Sequence, residues 1–255
     1  MRMKLVFRAK DEKASIPLNY NYAVSALIYK TIAESSPEFA QRLHEKGFVV
    51  QEKTFKLFTF SRIETKNAFV DFKSSRIFLN NPYIKLQVSS PIDEFLKNFV
   101  FGTFSQQTFR IDKSEFILDS AETIEEPEII DEMSFRALSP ITESIRNEEN
   151  GTVYLLPNDN WSEIITRNLQ RKYEALYGKT LPDAKVEWKW NEDYFADERK
   201  QKKAEKLIDI KGIKVRGWLA PFSVKGDKEL IKLGYETGFG NKNSQGFGMA
   251  VAIEK

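Results

Sequence analysis

His44 is the only histidine in this chain of 255 residues, and the chain contains no cysteine. It lies in Leu43-His44-Glu45-Lys46-Gly47, at the predicted last turn of a helix that begins at Ser36. The negative end of a helix stabilises a protonated imidazole, which suits a general acid or base working near neutral pH. A lone histidine on a helix is more often an ordinary surface residue, so this interpretation needs support from the rest of the chain.

These two counts also exclude several kinds of site. Without cysteine the chain has no disulfide, no thiolate zinc site and no thiol nucleophile. One histidine cannot form a His-rich metal site or a mechanism with paired histidines, and no carboxylates stand at metal-ligand spacing. We therefore predict an activity that uses no metal ion and no other cofactor.

Glycine is densest near the C-terminus. Five of the 12 glycines fall between Gly234 and Gly248, with the spacing G-x-G-x5-G-x-G from Gly238 onward. This is neither the G-x-G-x-x-G of a Rossmann turn nor the G-K-[ST] of a Walker loop. Such density indicates backbone with positive φ or close approach by another backbone. One interpretation is a loop that only shapes a tight connection from helix to strand. We favour the other, a loop that contacts phosphate groups, because Lys242, Asn243 and Ser244 are suitable donors. The candidate contacts are Gly238, Gly240, Lys242, Asn243, Ser244, Gly246 and Gly248.

The net charge of +2 conceals an uneven distribution. Residues 119–132 hold seven acidic side chains and no basic one, so the rest of the chain is clearly positive. The densest basic stretch, 199–216, falls between two predicted strands, and we interpret it as a basic hairpin that reaches a phosphate backbone. A solvated charged hairpin is the alternative. The candidate contacts are Lys200, Lys202, Lys203, Lys206, Lys211, Lys214 and Arg216.

Both halves of the chain show the same order of predicted elements. In the first half we expect strands at 1–9, 54–64, 66–72, 76–79, 83–89 and 108–118, with helices at 22–35, 36–47 and from Pro91. In the second half we expect strands at 134–141, 152–155, 184–190, 208–224 and 249–253, with helices at 160–177 and 227–235. This is βαββαβ twice, which predicts an α+β fold of tandem ferredoxin-like domains with a glycine-rich loop near the C-terminus. We interpret the acidic block as an exposed connection, so we predict domains at 1–122 and 133–255 joined by a linker at 123–132.

Segments near both ends resemble a known family. The string G-F-G-N-K-N-S-Q-G-F-G-M resembles the C-terminal glycine-rich signature of the RAMP superfamily. The segments Asn19–Tyr29, Leu43-His44-Glu45 and Lys56-Leu57-Phe58-Thr59-Phe60-Ser61 resemble the N-terminal domain of archaeal CRISPR-associated endoribonucleases, which process precursor CRISPR RNA.

That resemblance implies a catalytic set. In the family a tyrosine on the first helix, a histidine after the second helix and a nearby lysine form a metal-independent triad. The matching positions are Tyr29, His44 and Lys56. Lys53 is the alternative lysine, because the loop before Lys56 is longer than the usual loop of the family.

The resemblance also implies a reaction and a partner. The ribose 2′-OH attacks the adjacent phosphorus, the 5′-oxygen leaves, and a 2′,3′-cyclic phosphate remains. Histidine and tyrosine share the acid and base roles, in an order that the sequence leaves open, while lysine supplies positive charge. The implied partner is CRISPR repeat RNA in the precursor transcript, with a CRISPR effector complex as a further one to consider. No apolar run approaches the roughly 20 residues of a membrane span, so we expect no membrane partner. The absence of cysteine fits a reducing compartment, so we expect a cytoplasmic location. The oligomeric state stays open.

Two other functions compete with this one. The first is a non-catalytic RNA-binding subunit of the same superfamily. The second is an RRM-like RNA-binding regulator, which rests on the partial RNP1 match Ala68-Phe69-Val70-Asp71-Phe72. Its phenylalanines are predicted to be core residues. Retention of Tyr29, His44 and a lysine favours the enzyme.

Overall fold

The computed structural model describes residues 1–147 and 151–253. In these ranges the α-helices are α1 (Asn21–Ala33), α2 (Pro37–Glu45), α3 (Asp93–Ser105), α4 (Trp161–Tyr177), α5 (Glu192–Ala196), α6 (Glu198–Ala204) and α7 (Lys228–Thr237). The strands are β1 (Arg2–Ala9), β2 (Ser15–Pro17), β3 (Phe48–Val50), β4 (Lys53–Phe55), β5 (Thr59–Phe60), β6 (Glu64–Thr65), β7 (Ala68–Asp71), β8 (Arg76–Leu79), β9 (Tyr83–Ser89), β10 (Phe109–Ile111), β11 (Ser114–Ile124), β12 (Glu132–Ala137), β13 (Ser144–Asn147), β14 (Gly151–Tyr154), β15 (Val186–Trp190), β16 (Glu205–Ile210), β17 (Ile213–Trp218), β18 (Pro221–Gly226) and β19 (Ala250–Ala252). Glu254 and Lys255, which end the predicted C-terminal domain, lie outside the described residues.

The chain divides into two compact units. The first consists of Met1–Gly47 and Arg62–Glu125, and the second of Phe48–Ser61 and Glu126–Lys255. The second unit thus includes a segment that the sequence prediction gave to the N-terminal domain. Part of the predicted linker is strand, because β11 continues to Ile124 and β12 begins at Glu132. The domain limits inferred from the acidic block therefore stay a prediction.

An antiparallel sheet forms the centre of the first unit, in the order β10–β11–β1–β9, and β6 also pairs with β9. Strand β1 alternates, so that Met3, Leu5, Phe7 and Ala9 are all buried, as expected for a strand with one face on a core. Helices α1 and α3 pack together at Gly102, where an added Cβ would lie 1.7 Å from the carbonyl oxygen of Thr31. Only glycine allows the two helices to approach this closely.

The second unit contains a four-stranded antiparallel sheet in the order β15–β18–β12–β19. With α4 after β12 and α7 after β18, this is the split βαβ topology of a ferredoxin-like domain. Aromatic rings fill the core, where Phe222 stacks with Trp188 at a centroid distance of 4.0 Å and with Phe135 at 5.4 Å. The predicted α+β fold of tandem ferredoxin-like domains is confirmed.

Several predicted strands are broken in the structure. The predicted strand 54–64 is interrupted at Leu57, which has a φ of 52°, and leaves β4, β5 and β6 as short pieces. The predicted strand 108–118 turns sharply at Asp112, with a φ of 54°, and becomes the hairpin of β10 and β11. Aspartate tolerates this left-handed conformation, whereas leucine adopts it only under constraint from its surroundings.

Candidate functional site

Tyr29 and His44 are neighbours in the first unit. Tyr29 lies near the end of α1 and is half-buried, and His44 lies in the last turn of α2 and is exposed. Their rings meet edge to face, with centroids 5.0 Å apart and an interplanar angle of 86°. Two side chains that are 15 positions apart in the sequence are therefore in ring contact.

The sequence of α2 explains how His44 is held. Ser36 caps the helix by accepting a hydrogen bond from the backbone N–H of Phe39 at 3.3 Å, and Pro37 follows at the first helical position. The helix ends before Gly47, whose N–H donates to the carbonyl oxygen of Arg42 at 3.0 Å. Arg42 also forms a 2.6 Å salt bridge with Glu94 of α3. These contacts fix both ends of α2 and hence the position of His44.

The two candidate lysines belong to the second unit. Lys53 begins β4 and is exposed, whereas Lys56 follows that strand and is half-buried. Partial burial lowers the pKa of Lys56. Both line a cavity of about 320 Å³ together with the glycine-rich loop, at Asn241–Ser244. The lysines and the loop thus form one polar surface, which the sequence did not predict.

The glycine-rich loop is tightly folded. Gly238, Gly240, Gly246 and Gly248 are all buried, and each has a positive φ, between 74° and 88°. At Gly248 an added Cβ would lie 2.2 Å from the carbonyl oxygen of Phe239. This glycine is therefore required by the loop itself. Contact of the loop with RNA stays a prediction.

Lys172 of α4 anchors the loop. It is 1% exposed, and its Nζ donates hydrogen bonds to the carbonyl oxygens of Gly238 at 2.6 Å and Gly240 at 2.9 Å, and to Oδ1 of Asn243 at 2.8 Å. Burial lowers the pKa of Lys172, and the charge of Glu143 raises it. Three acceptors match the three hydrogens of an ammonium group, so this geometry fits the protonated side chain.

Sequence reasoning missed Lys172. The residue stands seven positions after Ile165 and three after Leu169, which are both buried, so helical periodicity places it on the same inward face. A lysine on the inward face of a predicted helix could have revealed a buried, hydrogen-bonded ammonium group, because lysine is almost never fully buried unless it has partners.

Glu143 is the second buried charge of the loop region, at 2% exposed. Burial raises the pKa of Glu143 to about 7, while Lys172 and then Lys53 lower it. Its Oε2 accepts a hydrogen bond from Nδ2 of Asn241, whose Oδ1 accepts one from Asn168 at 2.9 Å. Glu143 and Asn168 are thereby hydrogen-bonded to the glycine-rich loop.

The basic stretch 199–216 is only partly the predicted hairpin. Its first part is helix α6, capped by Asp197, which accepts hydrogen bonds from the N–H groups of Arg199 and Lys200. The remainder is the hairpin of β16 and β17. Lys200, Lys202 and Lys203 lie on the helix, and Lys206, Lys211, Lys214 and Arg216 lie on the hairpin.

Both parts of the stretch include cations that already have partners in the structure. Arg216 forms a 2.9 Å salt bridge with Glu205 across the hairpin, and Nζ of Lys200 lies 5.9 Å from the ring centre of Tyr194. Contact of this stretch with RNA stays a prediction.

The phenylalanines of the partial RNP1 match are exposed. Phe69 is 60% exposed, and Phe72 is 78% exposed, so the prediction that these phenylalanines are core residues is wrong. They lie on and after β7, which pairs with β8 in a three-stranded sheet separate from the central one. An RRM stacks bases on its central sheet, so this placement does not support the RRM-like function.

No group of three or more His, Asp or Glu side chains within residues 1–147 and 151–253 is arranged to hold a metal ion. Across the same ranges, no helix has the length and apolar character needed to cross a bilayer.

Comparisons with known proteins point to one family. Residues 124–251 match the profile described as "CRISPR associated protein Cas6, C-terminal", and residues 15–122 match "CRISPR-associated protein Cas6, N-terminal". The chain is 32% identical to "CRISPR-associated endoribonuclease Cas6 1" of Methanocaldococcus jannaschii, over 100% of this chain and 93% of that protein.

A second relative and a solved structure are also similar to this chain. The chain is 30% identical to "CRISPR-associated endoribonuclease Cas6" of Pyrococcus furiosus, over 97% of this chain and 87% of that protein. A solved structure described as "CRISPR associated protein Cas6" superposes with a TM-score of 0.76 at 33% identity, covering 100% of this chain and 99% of the other.

Proposed function

Because the chain belongs to the CRISPR-associated Cas6 family, we propose that Tyr29, His44 and a lysine cleave repeat RNA without a metal ion. The chain is an endoribonuclease that processes precursor CRISPR RNA, as its relatives over nearly the whole length are CRISPR-associated endoribonucleases.

The edge-to-face pair of Tyr29 and His44 carries the proposal. One of these groups takes the proton of the ribose 2′-OH as its oxygen attacks the adjacent phosphorus. The bond from phosphorus to the 5′-oxygen breaks, and the other group gives that oxygen a proton. The products are a 2′,3′-cyclic phosphate and a free 5′-OH, so no water is consumed and no metal-bound nucleophile is required.

Positive charge on the phosphate oxygens comes from a lysine. Lys56 is the first choice and Lys53 the alternative. Partial burial lowers the pKa of both lysines, so it does not separate them. The choice of Lys56 rests on its place in the segment Lys56–Ser61, which resembles the family.

We assign binding of the repeat RNA to two sets of residues. The first is the glycine-rich loop, where Lys242, Asn243 and Ser244 line the same cavity as Lys53 and Lys56. The second is the basic helix and hairpin, Lys200–Arg216. On the basis of its family, we also propose that the chain associates with a CRISPR effector complex and is located in the cytoplasm.

Two assays test the chemistry. Cleavage of repeat RNA is expected to persist in EDTA, and a single 2′-deoxy substitution at the scissile nucleotide is expected to abolish it, because that nucleotide then lacks the nucleophile. Activity that EDTA removes and Mg²⁺ restores would instead indicate a metal-dependent nuclease. Unchanged cleavage of the deoxy substrate would overturn the 2′-OH mechanism.

A further inference from the structure

A second cavity lies in the second unit, between α4 and β13. It has a volume of about 280 Å³, and we call it the α4 pocket. Four basic side chains line it: Lys53, Arg146, Arg167 and Arg171. Glu143 and Asn168 line it too, and both are buried.

The cations of the α4 pocket are mostly uncompensated. Arg167 forms a 3.3 Å salt bridge with Glu163 one helical turn away. Of the four cations, it is the only one with a salt bridge to another residue in the described part of the chain. Among residues 1–147 and 151–253, the other three positive charges of the pocket therefore have no salt-bridged counter-ion.

Glu143 does not balance this charge. The carboxylate is already opposed by the buried ammonium of Lys172 and accepts hydrogen bonds from Asn241 and from the N–H of Ser144 at 3.3 Å. One buried carboxylate with its own buried partner cannot neutralise the lysine and arginines of the pocket.

The positive groups also repel one another. Partial burial lowers the pKa of Lys53, and the charge of Glu143 opposes that effect. The guanidinium groups of Arg171 and Arg167 lower the same pKa further. Like charges held this close raise the free energy of the unliganded protein, and a bound anion relieves that repulsion.

The α4 pocket adjoins the glycine-rich loop. Lys53 lines both this pocket and the cavity beside the loop. Asn241 of the loop links the two, since it donates to Glu143 and accepts from Asn168. A chain of phosphates that follows the loop at Lys242 can therefore continue past Lys53 to Arg146 and Arg171.

We propose that the α4 pocket binds a backbone phosphodiester of the RNA, as an anchoring site additional to the glycine-rich loop and to Lys200–Arg216. Guanidinium groups suit this role because their paired N–H groups match two phosphate oxygens. This inference rests on the proposed function in one respect, namely that the bound polyanion is RNA.

The test uses a variant pair, Arg146→Gln with Arg171→Gln, against the matched control Lys179→Gln with Lys189→Gln, which removes two exposed charges outside the pocket. Binding is measured with a fully 2′-O-methylated repeat RNA over a series of salt concentrations. This RNA keeps every phosphate but has no free 2′-OH to react. The pocket variant is expected to bind several-fold more weakly, with the slope of log K against log salt reduced by about 1, whereas the control keeps the wild-type slope.

An unchanged slope and affinity in the pocket variant would overturn the inference. If the double variant does not fold, Arg146→Gln alone is measured instead, because this side chain is exposed. The single variant must also lower the slope of log K against log salt. Cleavage of unmodified RNA by the wild type is assayed separately. A wild type that fails to cut contradicts the proposed function, while weaker binding by the pocket variant still supports the pocket.

Discussion

The ring of His44 lies edge to face with the ring of Tyr29, 5.0 Å from centroid to centroid. No other imidazole exists in the chain to replace His44. We expect His44→Ala to cut repeat RNA about 10²–10⁴-fold more slowly, the usual effect of losing a general acid or base. Single-turnover cleavage measures this, with RNA affinity as the control, which is expected to be unchanged. Cleavage near the wild-type rate would remove His44 from the mechanism.

Tyr29→Phe separates chemistry from packing at the same pair. The substitution keeps the ring that contacts His44 and removes only the hydroxyl. We expect the melting temperature to change little and the cleavage rate to fall by a similar order to that of His44→Ala. A variant that cuts normally would show that Tyr29 only supports the imidazole ring.

Lys172→Met tests the anchor of the glycine-rich loop. The substitution keeps most of the side-chain volume but leaves three acceptors, two of them fully buried, without their donor. It also leaves Glu143 without its buried counter-charge. We expect the free energy of unfolding to fall by about 3–5 kcal/mol, as for removal of one partner of a buried pair. Urea denaturation measures it, and exposed Lys189→Met serves as the control. A loss below about 1 kcal/mol would contradict the anchoring role.

Gly248→Ala tests why the loop needs glycine. The left-handed conformation costs about 1–2 kcal/mol for alanine, and the added methyl group also meets the carbonyl oxygen of Phe239 at 2.2 Å. Gly212 has nearly the same φ, 84° against 86°, but nothing lies within 4 Å of its added Cβ. Gly212→Ala therefore measures the conformational cost alone, and we expect Gly248→Ala to lower the melting temperature further. Equal effects would show that the loop relaxes around the methyl group.

The buried Glu143 predicts a dependence of stability on pH. Its pKa rises from an ordinary 4.5 to about 7 in the folded protein, so between these values the folded state holds more protons than the unfolded state. Stability then falls as pH rises through this window. Relative to Glu143→Gln, the wild type is expected to lose on the order of a few kcal/mol between about pH 5 and pH 7, measured by denaturation at each pH. A difference that stays constant or grows would contradict the burial of a titrating carboxylate.

Short-range sequence patterns predicted the ends of several helices and strands. Ser36 and Pro37 mark the start of α2, and Gly178 ends α4 with a φ of 65°. Strands β8 and β9 have the predicted limits. Caps and alternating burial are visible in the sequence, because each depends on residues a few positions apart.

The parts that were missed depend on residues far apart in the sequence. Lys172 is buried because loop carbonyl groups 66 and 68 positions later surround its ammonium group. The segment Phe48–Ser61 joins the second unit through contacts such as that of Thr59 with the carbonyl oxygen of Phe247, 188 positions away. The cations of the α4 pocket come from three separate segments, so no window of the sequence shows them together.

The division of the chain has a practical consequence for anyone who wishes to study one half alone. The polypeptide passes between the two units three times, after Gly47, after Ser61 and after Glu125. A fragment that starts at the acidic connection lacks residues 48–61 and therefore leaves Phe247 without the hydroxyl of Thr59. By contrast, we expect a protease nick at that connection to give two fragments that stay together, because the N-terminal fragment still carries residues 48–61 of the second unit. Separation of the halves requires a permuted gene in which residues 48–61 are grafted onto the C-terminal portion.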